Sequence, residues 1–274
     1  HRFGGLSGIK QLKELRNKLN DPQICSELLD KFQLLHRIFL ASNTQILSIG
    51  EHYQKENMLA DINDLWVSND HSTQLAKFSL PSVRKTVREA WTTTTQVNFC
   101  AKAYPTVASN HKDNAILHVL AGYLRNGFLH TAIREKGGAY GAGASNDTHT
   151  NTFKLFSYRD PKCKETFQAF EDAITWAKTS INEQHLEEAI LGVVSSIDKP
   201  LSPVGEAKND FNFNLEEINI EERLAFRQRI INCSIKDLVR VNEKYLTKES
   251  KRSILAGESF KDQAMELKLE ILEV

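Results

Sequence analysis

One glycine-rich segment holds the residue types in this chain that are best suited to chemistry at a carbonyl group. Arg134 and Tyr140 lie on either side of the pair Gly137-Gly138, in the run Ile-Arg-Glu-Lys-Gly-Gly-Ala-Tyr-Gly-Ala-Gly. A guanidinium is always charged and a phenol donates a hydrogen bond, so both groups suit a carbonyl or a developing oxyanion. Glycine permits positive φ and close backbone approach. The segment therefore predicts a tight helix-to-strand turn that presents the two side chains.

Both side chains also have an ordinary structural interpretation. Arg134 can pair with Glu135 or with a neighbouring helix, and Tyr140 can be a half-buried aromatic residue of a strand. His130 precedes Arg134 by one helical turn, so it can orient the guanidinium or simply lie on the helix surface. The residues alone leave these alternatives open.

The sequence predicts that this chain binds no metal. The pattern nearest to a metal-binding helix is His185-Leu-Glu-Glu188-Ala189, which offers at most two ligands where at least three are needed. Ala189 stands where a second imidazole would be required. The four cysteines form no Cys-x-x-Cys pair and read as reduced, small hydrophobic residues of an intracellular protein: Cys25, Cys100, Cys163 and Cys233.

Composition argues against several other classes of function. The formal net charge is zero with both signs interspersed, so the chain shows no basic footprint for nucleic acid. No apolar run approaches the roughly 18 residues that a membrane span needs. Neither a Gly-x-Ser-x-Gly elbow nor a phosphate-binding loop is present, although spacing alone leaves a dispersed catalytic triad open. We therefore expect neither nucleic acid nor membrane as a partner.

Apolar residues at helical spacing predict helices on both sides of the glycine turn. The first four helices are expected at residues 6–19, 24–39, 51–65 and 113–129. Asp160-Pro161 is a plausible cap and first-turn proline for the next helix, and Ser180-x-x-Glu183 a capping box for the one after. Asn219 and Ser234 are expected to cap two more helices.

Alternation of apolar and polar residues predicts the strands. They are expected at residues 44–49, 92–104, 138–146, 152–158 and 253–256. In the second of these, Phe99, Ala101 and Ala103 share the apolar side with Val97, while Lys102 lies on the other. Residues 199–213 contain two prolines and a glycine and are expected to form a loop.

The two ends of the chain repeat one pattern. Residues 24–51 and 235–258 each read as a helix followed by a short extended segment that ends in Gly-Glu, and a further helix follows. This indicates a duplicated domain. We predict the end of one domain at 1–66, a linker at 67–90, a complete domain at 91–258 and a helical tail at 259–274.

The Arg-Glu-Lys-Gly-Gly-Ala-Tyr-Gly run resembles the signature of the C-terminal half of the insulinase/pitrilysin family of zinc peptidases, in its presequence-protease-like branch. The resemblance covers residues 90–258 well and 1–66 more loosely. It implies an α+β fold, a largely antiparallel sheet with helices packed on one face, as in insulinase and mitochondrial-processing-peptidase domains. It also implies that the helical end of a second homologous domain comes first.

The same resemblance implies a function for the chain. It would be the zinc-less C-terminal half of a metalloendopeptidase that degrades unstructured peptides in a closed chamber. Arg134 and Tyr140 would contact the substrate and its oxyanion, with Gly137 and Gly138 setting the turn. Zinc would be bound by the N-terminal catalytic half, which is expected in the same polypeptide, and this chain alone would be inactive.

The resemblance also admits a non-catalytic scaffold or assembly subunit with the same fold, or a stand-alone peptide-binding module. A pure scaffold has no reason to keep Arg134 and Tyr140 together, so the pair favours the enzyme. We expect an intracellular setting, either the bacterial cytoplasm or an organelle matrix.

Overall fold

The computed structural model describes residues 5–42, 44–65, 86–180, 182–247 and 249–273, in two compact units. One unit contains four helices: α1 (Gly5–Lys18), α2 (Pro22–Ala41), α3 (Lys55–Leu65) and α7 (Pro203–Leu215). No residue of α1 or α2 is buried, although both carry large apolar side chains. Most of the predicted linker, residues 67–85, lies outside the described residues, and the domain boundaries remain a prediction.

The other unit is built on a mixed sheet of six strands in the order β3-β4-β2-β5-β1-β6. The strands are β1 (Arg88–Thr93), β2 (Phe99–Pro105), β3 (Gly141–Asp147), β4 (Thr152–Tyr158), β5 (Lys251–Gly257) and β6 (Glu270–Glu273). Three pairings are antiparallel, β3 with β4, β4 with β2, and β2 with β5. β1 pairs in parallel with both β5 and β6.

Helices cover one face of this sheet. They are α4 (Asp113–Leu124), α5 (Lys164–Thr179), α6 (Glu183–Ile197), α8 (Ile220–Ile231), α9 (Ile235–Tyr245) and α10 (Lys261–Glu266), with a π-helical segment at Arg125–Glu135. On β4 the inward residues Phe153 and Leu155 are fully buried, while Phe156 and Tyr158 on the other face are partly exposed. The α+β fold expected from the sequence is confirmed. No helix within the described ranges is long and apolar enough to cross a membrane.

The strand expected at 92–104 is two strands. β1 and β2 flank β5 on opposite sides, one parallel and one antiparallel, so the chain must reverse between them. The inward face of β2 is also the opposite of the one that alternation marks as apolar. Lys102 and Tyr104 are buried there, while Ala101 is exposed. Lys102 is tolerated because it forms an ion pair with Glu171 of α5.

Three segments have a secondary structure different from the one predicted. Residues 199–213 were expected to form a loop, but α7 lies there because Ser202 caps it, accepting a hydrogen bond from Gly205 N–H at 3.2 Å. Pro203 then occupies a first-turn position, where proline favours a helix. The tail at 259–274 is not helical throughout, since β6 joins the sheet and pairs its Ile271 and Leu272 with β1. Residues 44–49 form no strand.

The helix caps were predicted with mixed success. Asn219 and Ser234 cap α8 and α9 with complete capping boxes, as expected. The helix expected from Ser180 is instead capped by Asn182, whose side chain accepts from His185 N–H at 3.2 Å. The helix expected from Asp160 begins later, at Lys164, because the Asp160 backbone pairs with Asn98.

Candidate functional site

The helix that leads into the glycine turn is fixed at its start by Asp113. This fully buried carboxylate accepts hydrogen bonds from Arg240 Nη1 at 2.8 Å, Lys244 Nζ at 2.9 Å and Tyr245 Oη at 2.7 Å. Burial by itself would raise the pKa of Asp113, but the three hydrogen bonds outweigh it and hold the pKa well below its usual range. These hydrogen bonds hold α4 and α9 together at the start of the helix that leads to the glycine turn.

α4 does not end at residue 129 as expected but widens into the π-helical segment, which carries Arg134 in its last turn. The Lys136 N–H donates to the Thr131 carbonyl at 3.0 Å, a five-residue spacing. Leu129 and Ile133 are buried and anchor the segment to the core. π-Helical turns occur frequently at functional sites.

Gly137 and Gly138 make the predicted turn, and each is required by its backbone. A Cβ on Gly137 would lie 2.3 Å from the Ile133 carbonyl oxygen, and Gly138 adopts φ +83°. The Gly138 N–H donates to the Arg134 carbonyl at 3.0 Å, which closes the end of the helical segment. A larger residue at either position would force the backbone apart or strain it. The following strand therefore begins at Gly141, later than predicted.

Arg134 contacts His130, the residue one helical turn earlier. Its Nη1 lies 3.4 Å from His130 Nε2, and His130 Nδ1 lies 3.3 Å from a carboxylate oxygen of Glu135. This geometry fits an Nδ1–H tautomer, in which His130 donates toward Glu135 and accepts from Arg134. Of the alternatives left open by the sequence, the structure favours an orienting contact for His130.

Tyr140 is 65% exposed, but its backbone and ring are held from the other side of the turn. Its N–H donates to the Arg159 carbonyl at 3.2 Å. Its ring meets the ring of Tyr158 edge-on at 5.6 Å, and the Arg159 guanidinium lies 5.7 Å from its centroid. Within the described part of the chain, the Tyr140 hydroxyl makes no hydrogen bond. The phenol is thus positioned by its backbone and ring, with its donor facing outward.

Tyr158 and Arg159 lie beside Tyr140 but were not predicted as site residues from the sequence. Hairpin register places Tyr158 directly opposite Gly141, and the next residue along the chain is Arg159. A signal existed, because residues 152–158 were correctly predicted as a strand, and pairing that strand with the glycine segment would have brought Tyr158 beside Tyr140. Nothing in the residues next to Arg159 predicts its position, because that position depends on a left-handed backbone at φ +48°.

Arg134 and Tyr140 do not contact each other directly. No hydrogen bond joins their side chains in the described residues, and each has its own set of partners. Arg134 lies with His130 and Glu135, whereas Tyr140 lies with Tyr158 and Arg159. Arg134 therefore lies before the turn and Tyr140 after it, each held by contacts of its own.

The residues that the structure describes contain no group of three or more histidine, cysteine, aspartate or glutamate side chains that could hold a metal ion. Ala189, at the position where a second imidazole would be needed beside His185, is buried against α4. Its Cβ lies 3.4 Å from the point that a Cβ on Gly122 would occupy. A histidine side chain would not fit in that interface, so this helix does not suit a zinc ion.

Comparison with known proteins places this arrangement in a family. Residues 88–256 match the family model described as the PreP C-terminal domain. The mitochondrial presequence protease of Yarrowia lipolytica is 30% identical over 258 residues, which are 93% of this chain and 26% of that protein. The Mus musculus mitochondrial presequence protease is 40% identical over 151 residues, 55% of this chain and 14% of that protein. The chain therefore spans about a quarter or less of these relatives.

Solved structures support the same assignment at the level of the fold. The crystal structure of pitrilysin superposes with a TM-score of 0.55 at 13% identity, over 81% of this chain and 25% of that one. The glycine turn with Arg134 and Tyr140 lies inside the matched residues 88–256. This chain belongs to the family of presequence protease C-terminal domains, and its fold is similar to that of pitrilysin.

Proposed function

We propose that this chain is the C-terminal portion of a metalloendopeptidase that degrades unstructured peptides inside a closed chamber. Its family membership and its limited coverage of the relatives support this proposal. In it, the chain supplies chamber wall and substrate contacts, and the N-terminal half, in the same polypeptide, supplies the catalytic zinc. Because the relatives are named as mitochondrial, we further propose an organelle matrix as the setting.

Arg134 and Tyr140 are the substrate-contacting residues in this proposal. Arg134 holds a backbone carbonyl of the peptide through its guanidinium donors. Tyr140 donates its hydroxyl hydrogen bond to the scissile carbonyl oxygen as negative charge develops there. The observation that carries the proposal is the exposed side chain of Tyr140. Its backbone N–H donates to the Arg159 carbonyl and its ring packs against Tyr158, while its hydroxyl has no partner among the described residues.

Zinc enters the proposal only through the rest of the protein. When bound there, it would supply an activated water for attack on the peptide bond. The described residues of this chain offer no cluster for it. The purified 274-residue chain is therefore expected to hold no tightly bound zinc and to cleave no peptide. Metal analysis and a peptidase assay with and without a chelator test this, and one tightly bound zinc per chain with chelator-sensitive activity would overturn the proposal.

The site is tested in the full-length protein with Tyr140→Phe and Arg134→Ala. Tyr140→Phe removes only the hydroxyl, so kcat should fall about a hundred- to a thousandfold, the usual cost of one oxyanion donor. Arg134→Ala should lower kcat and raise KM, because it removes a contact present in both ground and transition states. Tyr53→Phe alters another exposed tyrosine and is the matched control.

Zinc content and the unfolding midpoint should be measured for every variant, so that a lost metal or a damaged fold is recognised. Near-normal kcat/KM in both Tyr140→Phe and Arg134→Ala, with Tyr53→Phe unchanged, would show that the pair is structural. The scaffold alternative would then be favoured.

A further inference from the structure

Arg159 is held in an unusual backbone conformation directly beside the proposed peptide site. Its φ of +48° lies in the left-handed region, which is strained for a residue other than glycine. Such strain persists only where the surrounding structure imposes it, and it is concentrated at functional sites. The position of Arg159 is therefore imposed by the fold.

The residue that imposes this conformation is the next one, Asp160. Its backbone exchanges hydrogen bonds with Asn98, at 2.7 and 2.8 Å. Its fully buried carboxylate accepts from the Lys162 N–H at 2.9 Å and from the Thr166 hydroxyl at 2.7 Å. With Asp160 locked on one side and the Tyr140 N–H bonded to the Arg159 carbonyl on the other, Arg159 has little freedom to move.

The guanidinium of Arg159 rests on two phenol rings and has no acidic partner. It lies 5.7 Å from the centroid of Tyr140 and 5.6 Å from that of Tyr158, within the range of cation–π attraction. No carboxylate in the described residues forms an ion pair with it. Two other arginines of the same unit do have acidic partners, Arg227 with Asp198 through three hydrogen bonds and Arg240 with Asp113.

An arginine stacked on aromatic rings keeps its in-plane N–H donors available to bind a ligand. A guanidinium presents these donors as a planar fork that matches both oxygens of a carboxylate. The two rings restrict its rotation, so less rotational freedom is lost on binding. The carboxylate of a ligand is the group that best fits this unpaired fork.

We propose that Arg159 binds a carboxylate of the peptide substrate, and that it is a specificity-determining residue of the site. This inference rests on the proposed function, because it assumes that a peptide lies against Arg134 and Tyr140. The carboxylate is either an Asp or Glu side chain near the scissile bond or the free C-terminus of the peptide. Both present the same two oxygens to the guanidinium.

The test uses the full-length protein and two series of unstructured peptides. In the first, a single Glu is moved position by position along both sides of the cleaved bond, each peptide matched by its Gln counterpart. In the second, the free C-terminal carboxylate is matched by its amide at increasing distance from the bond. The ratio of kcat/KM within each pair measures the preference for a carboxylate and identifies its source.

Wild-type protein should prefer the carboxylate by about tenfold or more at one position, the value of a charged hydrogen bond. Arg159→Met keeps the apolar stem and should remove this preference, so that the ratio of kcat/KM within each pair of peptides falls to about one. Arg159→Lys keeps the charge without the fork and should retain part of the preference. High salt should reduce the wild-type ratio, because the site is exposed.

Equal ratios in wild type and Arg159→Met would overturn the inference, as would a wild-type ratio near one at every position in both series. These results are separable from failure of the proposed function, which is read from Tyr140→Phe on the neutral peptides. A normal Tyr140→Phe enzyme with a preference that depends on Arg159 would refute the oxyanion role alone and support carboxylate binding.

Discussion

The two faces of the sheet across β2, β3 and β4 differ in how their polar groups are satisfied. On the helix-covered face Lys102 and Asn146 are buried, and each has a protein partner, Glu171 and Asn114 respectively. On the open face Phe156 and Tyr158 are partly exposed. Arg159 and the Tyr140 hydroxyl lie beside this face. Within the described residues, Arg159 has no acidic partner and the Tyr140 hydroxyl makes no hydrogen bond.

This difference separates stability from binding. A buried polar group without a partner costs free energy, so Lys102 and Asn146 on the covered face are stabilised by the partners that the fold gives them. Water can satisfy the exposed groups of the open face, so they remain available for a ligand. Substitutions on the covered face should therefore change the free energy of unfolding, and those beside the open face should change peptide cleavage.

The largest expected difference is between two phenylalanines of β4. Phe153 is fully buried on the covered face, whereas Phe156 is 39% exposed on the open face. Phe153→Ala should lower the free energy of unfolding by about 3–5 kcal/mol, the usual cost of a large cavity. Phe156→Ala should cost about 1 kcal/mol or less, since little apolar area is lost from contact with the protein.

Urea unfolding of the 274-residue chain, followed by circular dichroism, measures both values. If Phe153→Ala is too unstable to purify, Phe153→Leu provides a smaller cavity at the same site and should still cost more than Phe156→Leu. Equal losses for the two members of either pair would contradict the assignment of the faces.

A smaller effect is expected from the buried ion pair between Lys102 and Glu171. Burial lowers the pKa of Lys102, and Glu171, half exposed, also pairs with Arg252 at 3.2 Å. Glu171→Gln leaves the buried ammonium without its counterion and should cost about 2 kcal/mol. Lys102→Met replaces the ammonium by an apolar group of similar length and should stay within about 1 kcal/mol of wild type.

The asymmetry between these two variants is the informative result, because both break the same ion pair. Chemical unfolding at neutral pH and moderate salt measures it. A larger loss for Lys102→Met than for Glu171→Gln would show that Lys102 is not the group whose burial needs compensation.

The smallest change in the free energy of unfolding is expected when individual carboxyl groups are protonated at low pH. The hydrogen bond from Lys154 lowers the pKa of Asp147, at the end of β3, to about 2, and Asp113 is shifted in the same direction. A carboxyl group whose folded pKa is depressed contributes stability above its unfolded pKa of about 4, and loses it as pH falls through the folded value. The free energy of unfolding should therefore decrease between about pH 4 and pH 2.

Asp147→Asn measures how much of this decrease in the free energy of unfolding comes from Asp147. It should flatten the decrease between pH 4 and pH 2 by about 1 kcal/mol or less, because solvent screens this partly exposed ion pair. The matched variant Asp30→Asn removes an exposed carboxylate of α2 in the other unit and should leave the decrease unchanged. An acid dependence unchanged by Asp147→Asn would contradict the depressed pKa.

Much of the fold was predicted correctly where it depends on interactions between residues close together in the sequence. The capping boxes of Asn219 and Ser234 bind backbone groups three residues away, and the alternation at 152–158 belongs to one strand. The turn at Gly137 and Gly138 follows from backbone sterics between residues 133 and 138. Local chemistry is enough to specify these features.

Predictions failed where a distant residue decides the outcome. Asp160 does not cap a helix because Asn98 holds its backbone, and the strand at 92–104 divides because β5 lies between its two parts. The candidate site shows the same limit. Arg134 was identified from the glycine segment itself. Tyr158 and Arg159 were identified as neighbours of Tyr140 only once the pairing of β3 with β4 was known.

The sequence by itself determined the glycine turn, the residues flanking it, most of the helices and strands and the family resemblance. These depend on φ preferences, hydrophobic periodicity and motif, all of which are readable over a few residues. The tertiary structure alone decided which face of β2 is buried and where Arg159 lies. The buried face of β2 depends on the contact of Lys102 with Glu171, and the position of Arg159 depends on the contacts of Asn98 with the segment that follows it. Each contact joins residues more than 60 positions apart in the sequence. The free energy of a buried polar group depends on such a partner, which neighbouring residues do not reveal.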